Sequence, residues 1–241
     1  MKLLGHALVA LVALSVGCAS RPTPASAPSD AAEAAPREVD QALADKHDGS
    51  ADVATAVAPE LSDARVVGDY VTFAFSGAYR KAPLKLTQRV VAKAADSITI
   101  DYTFSEAKKT ETLRVAYSTA AKTHGDILDV SSIDQKGASK ASTRAAFEAK
   151  MAETAAMTDQ NEGLSDERVM TVKVGQTDVP AKRSTYKVRI GQKTATLETT
   201  ASDAFAWGDL GGKITTADGK VFFHAEIVDA GGPASARASL E

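Results

Sequence analysis

The chain has a single cysteine, Cys18, and a single tryptophan, Trp207, among 241 residues. One thiol excludes an internal disulfide framework and every cysteine-rich metal motif. Aromatic residues make up only 5% against a hydrophobic share of 44%, much of it alanine, so the core is expected to be light. A net charge of −3 leaves no basic excess and removes the electrostatic footprint of a nucleic-acid binder. No G-x-S-x-G elbow, Walker loop or dinucleotide fingerprint occurs, and no serine, histidine and aspartate are grouped for nucleophilic catalysis. The expectation is a non-enzymatic protein without catalytic residues, resident metal or cofactor. Long apolar runs are also missing. The one at Leu8–Val16 falls short of the about 20 residues a membrane-spanning helix needs.

That short run nevertheless has a meaning of its own. Lys2 precedes it and small residues follow it around Cys18, which is the n-region, h-region and cleavage-site order of a secretory signal. A buried helix is disfavoured there by Pro22, Pro24 and Pro28, which follow directly. Leu14-Ser15-Val16-Gly17-Cys18 resembles the lipobox of bacterial lipoproteins, departing from it in having Ser15 three places before the cysteine, where leucine is usual. The resemblance implies a signal peptide over residues 1–17, a diacylated Cys18 as mature N-terminus, and attachment to the membrane through that anchor. The alternative is an ordinary signal cut after Ser20 or Ala27, leaving a soluble periplasmic protein. Ala19, where inner-membrane retention usually shows aspartate, implies an envelope address at the outer membrane facing the periplasm. Each buried CH₂ adds about 0.8 kcal/mol of membrane affinity, so two or three acyl chains need no help from the folded domain.

Residues 18–62 are Ala, Pro, Ser, Asp and Glu with no aromatic. Such a stretch cannot bury enough apolar surface to offset the ordering of its backbone, and it reads as a disordered tether. Residues 63–232 suit one domain, and residues 233–241 read as a disordered tail.

Within that domain the period is mostly two. Val71, Phe73 and Phe75 share one strand face, as do Ile98, Ile100, Tyr102 and Phe104, and then Leu113, Val115 and Tyr117. Pro83–Lys93 is a further strand and Asp126–Ile133 a weaker one. From Ser139 to Thr158 the period changes to helical, with Phe147, Met151 and Ala155 at four-residue steps. Ser142 or a neighbour would cap the start of this helix near 139–160, and Asn161-Glu162-Gly163 its end. Strands resume at Arg168–Gly175, Ala181–Ile190, Lys193–Thr200, Gly212–Thr216 and Lys220–Asp229, with Asp218-Gly219 suggesting a type I′ hairpin. The fold class is therefore mainly β with one helix (α+β): roughly five strands, a helix and five strands. The expected form is a large curled antiparallel sheet or half-barrel with an amphipathic helix of about twenty residues on its concave face.

Trp207-Gly208-Asp209-Leu210-Gly211-Gly212-Lys213-Ile214, then Asp218-Gly219, then Ala225-Glu226-Ile227-Val228-Asp229-Ala230-Gly231 resembles the ending of a group of uncharacterised bacterial envelope lipoproteins. The order of sheet and helix also resembles the half-barrel of LolA/LolB-type lipoprotein carriers. That likeness implies an apolar or acyl ligand in the concavity, lined by Phe73, Phe75, Ile100, Tyr102, Phe147, Met151 and Trp207. Phe147 and Met151 read as core first and groove-lining second, and Trp207 as a plug at a sheet end. The alternative function is a structural or interaction lipoprotein with a filled core and an unidentified protein partner. His224 and Glu226, two apart on one strand, face the same way. With His124 they fall short of a zinc site that spacing alone would support, and a cross-strand polar pair is the plainer reading. Asp126, Asp129 and Asp134 lack the calcium-loop spacing.

Overall fold

The computed structural model describes residues 64–155 and 158–233. The signal segment 1–17, Cys18, the tether 18–62 and the tail beyond residue 233 lie outside the described residues.

The chain runs β1 (Tyr70–Ser76), β2 (Leu84–Lys93), β3 (Ser97–Glu106), β4 (Lys109–Ser118), β5 (Ile127–Ile133), β6 (Ser139–Ala141), α1 (Arg144–Ala152), β7 (Gln160–Val174), β8 (Thr177–Ile190), β9 (Lys193–Ala201), β10 (Asp209–Thr216) and β11 (Val221–Gly231). All eleven strands form one antiparallel sheet in the order β6-β5-β4-β3-β2-β1-β11-β10-β9-β8-β7. Two meanders are thus joined through β1 and β11, with Tyr70 opposite Gly231 and Ser76 opposite His224. The sheet does not close among the described residues: β6 ends it on one side and β7 on the other.

Strict alternation explains the first meander. In β3, Ile98, Ile100, Tyr102 and Phe104 are buried on one face, matched by Leu84, Leu86 and Val90 of β2 and Leu113, Val115 and Tyr117 of β4. The other face is polar. There Thr72 and Thr87 bond through their hydroxyls at 2.9 Å, Thr103 and Thr112 at 3.0 Å, and Arg114 grips both oxygens of Asp101 at 2.7 and 2.8 Å. One apolar cluster collects the buried face with Phe147 of α1, Trp207, Ile214, Phe223 and Ala225. A smaller one unites Val174, Val179, Ala181 and Leu210 around the β7–β8 turn.

Three details depart from the sequence expectation. The helix has nine residues, about half the expected length. Ser139–Ala141 pairs with β5 instead, and Thr143 is the N-cap, accepting from the Ala146 N–H at 3.1 Å. Among the helix residues only Phe147 is buried, so alanine on the same face contributes too little burial to extend the helix against a competing strand. Secondly, β7 starts at Gln160, eight residues before the expected Arg168, and Asn161-Glu162-Gly163 sits at a bulge within it instead of ending a helix. Thirdly, Asp218-Gly219 is not type I′. Only Gly219 has positive φ, and its N–H reaches the Thr216 carbonyl at 2.8 Å in a type I turn followed by a left-handed glycine.

Candidate functional site

The seven residues expected to line an apolar site do come together. Phe73, Phe75, Ile100, Tyr102, Phe147 and Trp207 are all buried members of the larger cluster, and Met151 packs against it half-buried. Phe147 meets the Tyr102 ring edge-on at 4.8 Å, and Phe73 and Phe75 lie 6.1 Å apart. Tyr102 and Tyr117 share a hydroxyl–hydroxyl bond of 2.8 Å inside the core. Burial pushes the Tyr102 phenol up to about 12, and the Tyr117 phenol also upward, because no water is there to solvate a phenolate. Trp207 is 7% exposed beneath the Arg65 guanidinium, whose carbon stands 4.3 Å from the ring centroid and whose Nε donates to the Ala206 carbonyl. Cys18 lies outside the described residues.

A second arrangement sits on the polar side of β7–β11. A groove of about 210 Å³ is lined by Val172, Arg183, Glu198, Lys213, His224 and Glu226, with Gly211 and Gly212 among its backbone walls. The glycines are obligatory. A Cβ on Gly211 would stand 2.3 Å from the Ala225 carbonyl oxygen, with φ at +99°, and one on Gly212 would stand 2.5 Å from the Glu198 carbonyl. The two residues mark the β9–β10 bulge, which leaves a stretch of β10 without side chains. Glu198 takes Lys213 at 2.9 Å. That hydrogen bond, with the charges of Lys213, Arg183 and Arg168, holds its carboxyl below the usual range. The Arg183 side chain makes no hydrogen bond or ion pair among the described residues, acting on Glu198 only through its charge, and the His224 side chain makes none either. The groove can therefore accept a carboxylate or carbonyl from outside at a guanidinium already in place.

His224 and Glu226 both line this groove, as their two-residue spacing predicts. His224 lies opposite Lys213, and Glu226 opposite Gly211. His124, in the β4–β5 loop, is separated from β11 by β3, β2 and β1. Among the described residues no three His, Cys, Asp or Glu side chains could hold a metal. Arg183 escaped the sequence reading, because it enters the groove only through the register of β8 on β9. Its only local signal is one of two adjacent cations, Lys182 and Arg183, in a strand, which is common on any exposed face.

No family model and no curated protein matches the chain. Among solved structures it is similar to a hypothetical protein of Chlamydia trachomatis, at 8% identity over 69% of this chain and 87% of that one, with a TM-score of 0.37. It is similar to MucB at 12% identity over 77% of this chain, with a TM-score of 0.37, and spans only 60% of MucB's length. A protein of YmcC-like fold from Bacteroides fragilis matches at 10% identity over 70% of this chain and 97% of its own, with a TM-score of 0.33. Likeness at these scores carries no argument about function.

Proposed function

We propose that the chain is a non-enzymatic envelope lipoprotein, tethered through an acylated Cys18, whose open sheet binds a protein partner. The observation that carries this reading is the groove on the polar face, where the Arg183 guanidinium stands without a hydrogen bond or ion pair beside the Glu198–Lys213 pair. A built, charged and uncovered groove suits an acidic or carbonyl-rich peptide segment better than an acyl chain. No described helix is long and apolar enough to cross a membrane, so attachment in this reading rests on the acyl chains. In this reading Ala19, following the cysteine where aspartate would favour inner-membrane retention, supports an anchor at the outer membrane.

Two experiments test the two halves of the reading. Cys18→Ser should release the protein from the membrane fraction or leave it unprocessed, and globomycin should accumulate precursor; unchanged fractionation in both removes the anchor. A photo-crosslinker at position 224 should give one discrete protein adduct that Arg183→Glu abolishes. An adduct indifferent to that charge reversal rejects the groove as the partner site.

A second reading, an apolar or acyl ligand held between α1 and the sheet, has one observation in its favour. The Gln88 side-chain oxygen is buried without a hydrogen-bond partner, and a lipid headgroup or trapped water would satisfy it. Native mass spectrometry of the detergent-extracted protein reads this directly, since a co-purifying lipid that Met151→Trp excludes is the outcome this reading requires.

A further inference from the structure

The two edges of the sheet are built differently. On one side β6 is three residues long, too short to recruit another strand. On the other, β7 runs for fifteen residues, nearly all exposed on both faces, with Leu164 54% and Val169 84% exposed.

Which backbone groups β7 presents follows from its turn. Gly175 and Gln176 form a two-residue connection between Val174 and Thr177, with φ of +60° at Gly175 and no positive φ at Gln176, which is a type II′ hairpin. The pair flanking such a turn exchanges both of its hydrogen bonds, and bonded and non-bonded pairs then alternate. Counting back along the unbroken register from Val174 to Asp166, residues 172, 170 and 168 bond to β8. Lys173, Thr171, Val169 and Glu167 therefore turn their N–H and C=O groups toward the edge. Pro180 is an independent check: it lies opposite Thr171, a non-bonded position, where a missing N–H costs that ladder nothing. Residues 167, 169, 171 and 173 make no backbone hydrogen bond to any other element among the described residues.

We propose that β7 pairs antiparallel with β7 of a second copy of this chain, about a two-fold axis at Met170. That register sets Glu167 of each copy opposite Lys173 of the other, and Val169 opposite Thr171. The opposite charges meet twice and the most exposed valine is covered twice. Neighbouring registers lose this. Centred on Thr171, Val169 meets Lys173 and Glu167 meets Gly175; centred on Val169, Lys173 meets Ser165 beyond the bulge. Lys173 has no ion pair within its own chain among the described residues, whereas Glu167 has an exposed contact of 3.3 Å with Lys182 and accepts from the Ser184 hydroxyl at 3.3 Å. The bulges at Asn161/Gly163 and Leu164/Asp166 bound the pairing segment on one side, and the Gly175 turn bounds it on the other. An isologous interface of this kind closes with two copies and does not propagate along this edge. Of the groove residues only Val172 lies in the pairing segment, and its backbone bonds to β8 and not to the edge, so failure of the pairing leaves the partner reading standing.

The test uses the full chain carrying Cys18→Ser. Sedimentation equilibrium should show a monomer–dimer equilibrium. Thr171→Pro removes an outward N–H without touching the β8 ladder, and Lys173→Glu sets like charges opposite each other. Each should weaken the dimer about tenfold or more with the circular-dichroism melt unchanged. Glu167→Lys combined with Lys173→Glu should restore it. Met170→Cys, then the only thiol, should give a covalent dimer on mild oxidation, while Leu128→Cys on β5 should not. A monomer at the highest concentration reached overturns the proposal. So does a dimer that ignores Thr171→Pro, or one that the double charge swap fails to restore.

Discussion

The β1–β5 meander with α1 and the β7–β8 ribbon are made of the same element, antiparallel strand, but are held by different forces. Through most of β1 to β4 every second side chain is buried, and Tyr102, Ile100 and Val115 are wholly inaccessible. In β7 nothing from Gln160 to Val169 is buried on either face, and the strand exists because β8 supplies a ladder of hydrogen bonds. One region is specified by hydrophobic burial, at about 25 cal/mol per Å² of apolar surface. The outer strand of the other is specified by register and turn geometry: its partner β8 is anchored in apolar contact at both ends, by Val179 and Ala181 with Val174 and by Val188 in the larger core. Side-chain truncation should therefore separate the two sharply.

The largest expected effect lies in the meander. Phe147 is the one buried residue of α1 and meets Tyr102 edge-on. Phe147→Ala should cost about 3–5 kcal/mol, the usual range for emptying a phenylalanine site in a core. Chemical denaturation at constant m-value reads it. A loss below about 1 kcal/mol would mean that the helix is not part of the cooperative core.

Alkaline titration comes next and acts on the same side. The Tyr102 phenol is pushed up to about 12 by burial, whereas in the unfolded chain it ionises near 10. Between those values the unfolded chain has lost a proton that the folded one keeps. Stability is therefore full below about pH 10 and falls as pH rises, by roughly 1.4 kcal/mol per pH unit from this group. Tyr117, shifted the same way, steepens the fall. Denaturation midpoints measured from about pH 9 to about pH 12 check the slope, and Tyr102→Phe should flatten it. A midpoint indifferent to pH over that window would contradict the buried tyrosine pair.

Much of this contrast was legible in the sequence, and what was not has a physical reason. Alternation at Val71, Phe73 and Phe75 and at Ile98 to Phe104 predicted both the strands and their buried face, because burial writes itself into side-chain choice. Alanine wrote nothing so definite after Ser139, and the helix was overextended on both sides. The start of β7, Gln160-Asn161-Glu162-Gly163, has loop composition and forms strand only because β8 is already there to pair with it. His224 and Glu226 were placed together correctly by their spacing. Arg183 reaches them through pairing across three strands, which no local pattern encodes.

The join between the two regions can be tested at the β10 bulge. Gly211 has φ of +99°, and an added Cβ would stand 2.3 Å from the Ala225 carbonyl. Gly211→Ala should destabilise by about 1–3 kcal/mol through backbone strain. It should also narrow the groove, so a partner adduct formed from position 224 should weaken in parallel. Loss of stability with the adduct unchanged would detach the bulge from the binding surface.

The smallest expected effect is the most exposed test of the comparison. Val169 is a large apolar residue within a regular stretch of strand, and on composition alone Val169→Ala would look like a core truncation. With 84% of its surface accessible it has almost nothing to lose in the isolated chain. Val169→Ala should change monomer stability by no more than about 0.5 kcal/mol, the scatter of ordinary surface substitutions. Leu164→Ala, 54% exposed beside the bulge, should behave in the same way. The measurement belongs at a concentration low enough to keep the chain monomeric, because a covered Val169 in a β7–β7 pair would register the truncation. At higher concentration the same substitution should lower the melting temperature of a dimer more than that of the monomer. A loss of 2 kcal/mol or so in the dilute monomer would show that β7 is held by burial after all, and the contrast between ribbon and meander would fail.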